Sequence, residues 1–196
     1  AHGVLDGTED AFDLAYKHNA RSYESRGIDL NFDVDLGAHQ LAIGARVHED
    51  EMDRFQPVEY YDQIDGELVR SGDKAPSGSD NRLEEADAIS FWAVDSWQVT
   101  DAFNLNLALR YEHVESSRKQ YADPERTELQ SRRANDSQEW LPGASFTYDL
   151  NDNWQALAGV HKGFSPLGGG AEANEDPETS VNWEAGVRYR GAWFVE

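Results

Sequence analysis

The chain has 196 residues, 38 of them acidic and 17 basic, for a formal net charge of −21. That charge repels a phosphate backbone and excludes nucleic acid as a partner, and the absence of cysteine excludes a disulfide scaffold or a thiolate metal site. No apolar run approaches the roughly 18 residues of a membrane helix, but strands can cross a membrane with only every second residue apolar, so the mean hydropathy of −0.75 does not count against a barrel.

The first clear strand runs from Arg26 to Leu36. Ile28, Leu30, Phe32, Val34 and Leu36 alternate with Asp29, Asn31, Asp33 and Asp35, which places the two sets on opposite faces. Three aspartates on one face cannot enter a dry core unpaired, so that face is wet. After Gly37-Ala38, Leu41, Ile43, Ala45 and Val47 alternate with Ala42, Gly44, Arg46 and His48. His48-Glu49-Asp50-Glu51, at the end of that strand, reads as a solvated acidic loop, lacking the helical His-Glu-x-x-His spacing of zinc proteases.

Asp50 to Glu85 reads as a long connection. Inside it, Val58 to Ile64 and Glu67 to Arg70 bracket Asp65-Gly66, the signal of a two-residue hairpin. Ile89 to Val99 is the next strand, with Trp92 and Trp97, and either face could point outward. Thr100-Asp101 separates it from Phe103, Leu105, Leu107, Leu109 and Tyr111, which alternate with Asn104, Asn106, Ala108, Arg110 and Glu112. Glu115 to Glu139 is a second long connection. Leu141 to Leu150 and Trp154 to Phe164 flank Asn151-Asp152, and Ser165 to Glu178 is a third long connection. Val181 to Tyr189 closes the series before Gly191-Ala192 and the start of an eighth strand.

Short turns at one end and long loops at the other predict an all-β, antiparallel, up-and-down transmembrane β-barrel, present as about seven to eight strands of a larger barrel. Aromatic residues beside three turns (Trp97 and Phe103, Tyr148 and Trp154, Tyr189 and Trp193) match interfacial girdles. Loop composition leaves open whether such a barrel would take a siderophore or a carbohydrate, and the rival from another class is a soluble all-β module that uses its tryptophans as carbohydrate platforms. The two differ in where the apolar faces go, outward to lipid or inward to a second sheet. Both chain ends read as cuts in something longer.

No Ser/His/Asp or paired-carboxylate pattern predicts catalysis, no spacing predicts a metal site, and no cofactor is implied. Gly168-Gly169-Gly170 lacks the following Lys-Ser/Thr of a phosphate loop. Arg46, Arg110, Arg188 and Lys162 are assigned to the polar face, where guanidinium forks suit an anionic ligand; neutralising Glu112 and Glu184 is their alternative role. Arg126, Arg132 and Arg133, with Arg118 and Lys119, sit in the second long connection, where they either meet ligand or lipopolysaccharide or are simply solvated.

Arg26-Gly27-Ile28-Asp29, the stretch His48 to Gln56, and Leu109-Arg110-Tyr111-Glu112 resemble barrel strands of TonB-dependent outer-membrane receptors. Gly159-Val160-His161-Lys162-Gly163-Phe164-Ser165-Pro166, followed by Glu178-Thr179-Ser180-Val181-Asn182-Trp183, is most similar to the ferric-citrate receptor branch. The resemblance runs from about Arg21 onward. It implies a plugged barrel of about 22 strands in the bacterial outer membrane. That barrel takes up a ferric chelate with energy passed on by TonB, which contacts parts of the protein outside this chain. Residues 1–196 then constitute a partial barrel domain without plug or closing strands, bounded by outer-membrane lipid.

Overall fold

The computed structural model describes residues 3, 7–172, 174–191 and 194–195. Its elements are β1 (Ala11–Lys17), β2 (Arg21–Leu36), β3 (His39–Phe55), β4 (Val58–Ile64), β5 (Glu67–Lys74), β6 (Gly78–Thr100), β7 (Phe103–Tyr121), β8 (Leu129–Asp149), β9 (Trp154–Ser165), β10 (Glu178–Arg190) and β11 (Phe194–Val195). Eight strands form one sheet in the order β11-β10-β9-β8-β7-β6-β3-β2, and β1-β4-β5 form a second. The larger sheet follows chain order, so it is a meander interrupted only by the departure of β4 and β5.

Three short turns fall within a residue or two of where alternation placed them, at 37–38, 101–102 and 150–153. Gly37 adopts φ +66° between β2 and β3. Phe103 N donates to Thr100 Oγ1 across the β6–β7 turn at 3.1 Å. Asn151 Oδ1 accepts from the backbone of Asn153 and Trp154 at 3.0 and 3.1 Å, an Asx-type cap on the β8–β9 turn. Ala192 and Trp193, and with them the third aromatic pair, lie outside the described residues.

The chain divides into two compact units. The first comprises Ala1–Glu24, Asp50–Glu85 and Ser117–Ala134; the second comprises Ser25–Glu49, Ala86–Ser116 and Asn135–Glu196.

In the second unit the usual burial pattern is inverted. Among the described residues of the whole chain no hydrophobic side chain is buried, whereas Ser90, Ser116 and Ser137 are. Ile28, Leu30, Phe32 and Leu36 on β2 are more than half exposed, as are Val181, Trp183 and Val187 on β10. A soluble sandwich buries such a face against a second sheet; among the described residues this face is exposed, the arrangement a lipid-facing wall has. Aromatic contacts mark two levels on that face. Tyr111 packs on Trp140 at one level, ring centres 4.9 Å apart. At the other, Phe103 meets Phe146 and Tyr148 and Trp154 meets Tyr189. Phe103 to Tyr111 is nine residues, the length a tilted strand needs to cross the hydrocarbon, and Leu105, Leu107 and Leu109 lie between.

Several strands run further than alternation indicated. His48-Glu49-Asp50-Glu51 lies within β3, not in a loop, and most of the Glu115–Glu139 connection is strand, leaving Ala122 to Glu128 as the link from β7 to β8. These extensions have no apolar face, so period-two hydropathy is silent there. Cross-strand ion pairs take over the role of apolar contacts: Arg118 bonds Glu84, and Lys119 Nζ reaches Glu85 Oε2 at 2.8 Å. The Asp65-Gly66 hairpin is present, with both residues at positive φ (52° and 82°), as a type I′ turn requires. β1, which sequence reasoning missed, pairs with β4 through an irregular register between Ala11 and Leu14. That break hides its alternation.

A candidate anion-facing site on the polar wall

Within the second unit, Gln98 N donates to Ala38 O at 2.8 Å and so sets the register of β6 on β3. Counting back residue by residue along both strands puts Gly44 opposite Trp92 and Arg46 opposite Ser90. Contact geometry agrees, because a Cβ at Gly44 would overlap the Trp92 ring. Trp92 therefore lies on the polar face while its neighbour Phe91 is half exposed on the other. This resolves the orientation that the sequence left open for this strand. Gly44 is the signal that was available: a glycine inside a strand marks close approach of another group.

Arg110, from β7, stacks over the same tryptophan with Cζ 5.3 Å from the ring centre. Its Nη2 donates to Ser90 Oγ at 3.2 Å and its Nε to Glu112 Oε1 at 2.5 Å. Ser90 is buried; Arg110 reaches it from β7, and Arg46 occupies the position across from it on β3. Arg46 is exposed, with no ion pair among the described residues. Further along the polar face Ser96 Oγ donates to Asn106 Oδ1 at 2.7 Å. The arrangement presents one free guanidinium and one half-neutralised by Glu112, above a serine hydroxyl. It can receive a carboxylate or another forked anion.

The remaining predicted cations are elsewhere. Arg188 lies opposite Gln155 on β9 and donates to its Oε1 at 3.1 Å, at the short-turn end of the strand. Lys162 lies opposite Val181 and so shares the apolar face, contrary to its assignment, with Nζ 2.8 Å from Glu139. In the first unit, Arg126 is engaged by protein. Its Nη1 and Nη2 reach Asp53 at 2.9 and 2.5 Å, its Nε reaches Asn81 Oδ1 at 2.8 Å, and bonding to Asp53 pushes its pKa up. Arg132 acts on Glu85, whose carboxyl is held below its ordinary range first by the Lys119 hydrogen bond. Arg133 is exposed on β8. Sequence reasoning also missed Gln56 and Asn81, the polar centre of the first unit, which are 1% and 0% exposed.

The family model described as TonB dependent receptor-like, beta-barrel, matches residues 3–195. The chain belongs to that family. Membership places it in the bacterial outer membrane, among receptors and not enzymes. The pesticin receptor of Yersinia pestis is 25% identical over 114 residues, 55% of this chain and 17% of that protein. Among solved structures, the ferric citrate transporter FecA in unliganded form aligns with a TM-score of 0.70 at 20% identity, over 89% of this chain and 26% of FecA. The ferric yersiniabactin uptake receptor FyuA of Y. pestis gives 0.60 at 17%, over 91% of this chain and 27% of FyuA. The siderophore receptor PiuA of Acinetobacter baumannii gives 0.63 at 16%, over 89% of this chain and 30% of PiuA. At these identities the likenesses are likenesses of fold. The chain spans between a sixth and a third of these proteins.

Proposed function

We propose that this TonB-dependent receptor barrel segment is part of the wall of an importer for ferric chelates of the carboxylate-bearing class, ferric citrate foremost. The observation that carries the reading is that Arg110 bonds Ser90 and stacks on Trp92 on the polar face, with the exposed Arg46 at the register position across from Ser90 on β3. An iron chelate with carboxylates at its surface is an anion with flat, forked acceptors, the geometry a guanidinium matches. The similarity to a ferric citrate transporter supports the substrate, and the similarity to other siderophore receptors supports the broader class. In this reading TonB and a plug act through parts of the protein outside these residues, and lipid and lipopolysaccharide surround the apolar face.

Uptake of radiolabelled ferric citrate by cells carrying the full-length gene, with and without TonB, tests this directly. Arg46→Ala and Arg110→Ala lower TonB-dependent uptake about tenfold or more, and Arg188→Ala leaves it near normal. Normal uptake in the first two variants removes the site. No uptake by a well-inserted parent removes citrate, and a panel of other ferric siderophores then decides the chelate.

A further inference from the structure

We propose that His113, Glu115 and Asp136 bind a first-row divalent cation of the Zn²⁺ class on the outward face, beside the Tyr111–Trp140 pair. His113 and Glu115 are two residues apart on β7 and so share a face with Tyr111. Asp136 comes from β8. His113 Nε2 stands 2.8 Å from Asp136 Oδ2 and 3.6 Å from Glu115 Oε1, and one donor atom from each residue falls within 4.8 Å of the other two.

Four-coordinate zinc with bonds near 2.1 Å holds its ligand atoms about 3.4 Å apart, and one imidazole with two carboxylates is a donor set it accepts. Side-chain rotations of about 1 Å bring these three to that spacing. Glu115 and Asp136 are exposed enough to make them, with side chains 68% and 58% accessible. Glu115 stands within ion-pair distance of the same ring nitrogen as Asp136, so two carboxylates converge on one imidazole.

A separate feature supplies the open coordination positions. A groove of about 690 Å³ is lined by both His113 and Glu115, with Ile28, Val47 and Ile89 among its other walls. It gives water or an exogenous donor access to a bound ion from the side away from Asp136's strand.

Titration of the purified full-length protein with Zn²⁺ by calorimetry, and with Co²⁺ followed by its visible absorption, tests the site. One equivalent is expected to be lost, or its affinity lowered at least tenfold, in His113→Ala and in the near-isosteric Asp136→Asn. Glu178→Gln, an exposed acid on another strand, keeps it. Heat-modifiable gel mobility shows that each variant is a folded barrel. Parent protein that binds neither ion, or binding unchanged in both variants, overturns the proposal.

Discussion

Arg126 grips Asp53 with both terminal nitrogens, from a backbone conformation (φ +59°) that non-glycine residues seldom adopt. The same side chain satisfies Asn81, which is fully buried and whose amide nitrogen donates to Asp123 O at 2.6 Å. One guanidinium thus ties the β7–β8 link to β3 and β6, and the strained φ is tolerated because its surroundings over-determine it. Arg126→Ala leaves Asn81 Oδ1 buried without its donor, a loss of about 1–3 kcal/mol. The link is therefore expected to open locally while the barrel stays folded. Faster hydrogen exchange confined to residues 122–128 of the full-length protein is the readout. Arg126→Lys keeps the charge but not the fork and falls between.

Asp123 organises the same link by accepting from Thr127 N and Oγ1 and from Glu128 N at 3.0, 2.8 and 2.6 Å. Those backbone bonds, Thr127 first, hold its carboxyl below the ordinary aspartate range. A depressed folded-state pKa means the contribution is complete above the unfolded value, near 3.9, and disappears as pH falls through the lowered one. A nitroxide on Glu125→Cys, in a stretch without native cysteine, is expected to be immobile at neutral pH and to gain mobility only below about pH 4. With Asp123→Ala it is mobile at every pH. Mobility rising already near pH 6 in the parent assigns the effect to another group.

Gly44 and Trp92 are expected to behave as a coupled pair. Gly44→Ala drives a methyl into the indole, which displaces Trp92 from beneath Arg110 and removes a cation–π contact of about 0.5–2 kcal/mol. Uptake by the full-length receptor is expected to fall severalfold with Gly44→Ala. In the Trp92→Ala background the indole overlap is gone and only the close approach of the new methyl to Leu30 O remains, so the same substitution is expected to add less than it costs in the parent. Additive losses in the double variant separate the two residues.

The membrane-crossing strands were legible because lipid demands one apolar face, and that demand writes period two into Phe103 to Tyr111 and Val181 to Tyr189. The turn at Asp65-Gly66 was legible because its positive φ values select those residues. Beyond the apolar band neither constraint acts. Arg118 with Glu84 and Lys119 with Glu85 hold strands together by charge, and a charged stretch looks the same in a strand as in a loop. The arginines illustrate a second limit. Arg46 and Arg126 are equal in sequence as candidate ligand contacts, and only the partners across neighbouring strands separate the exposed one from the one spent on Asp53.

The inverted burial gives the sharpest test of the fold. Leu107 lies midway between Phe103 and Tyr111 on the apolar face and is 43% exposed, whereas Asn104, of opposite parity on the same strand, is on the wet face. Arginine at a lipid-facing mid-band position costs about 2–4 kcal/mol, and on the lumen side far less. Leu107→Arg is therefore expected to lower the folding free energy of the full-length barrel in lipid by that amount and to reduce its heat-modifiable fraction in the outer membrane, while Asn104→Arg leaves both close to the parent. In a soluble two-sheet protein the ordering would also place Leu107 as the costly site, but the cost would not depend on the lipid. Repeating the Leu107→Arg measurement in bilayers of increasing thickness separates the cases: a penalty that grows as the residue is held deeper in hydrocarbon requires the apolar face to contact lipid, and a constant penalty would contradict it.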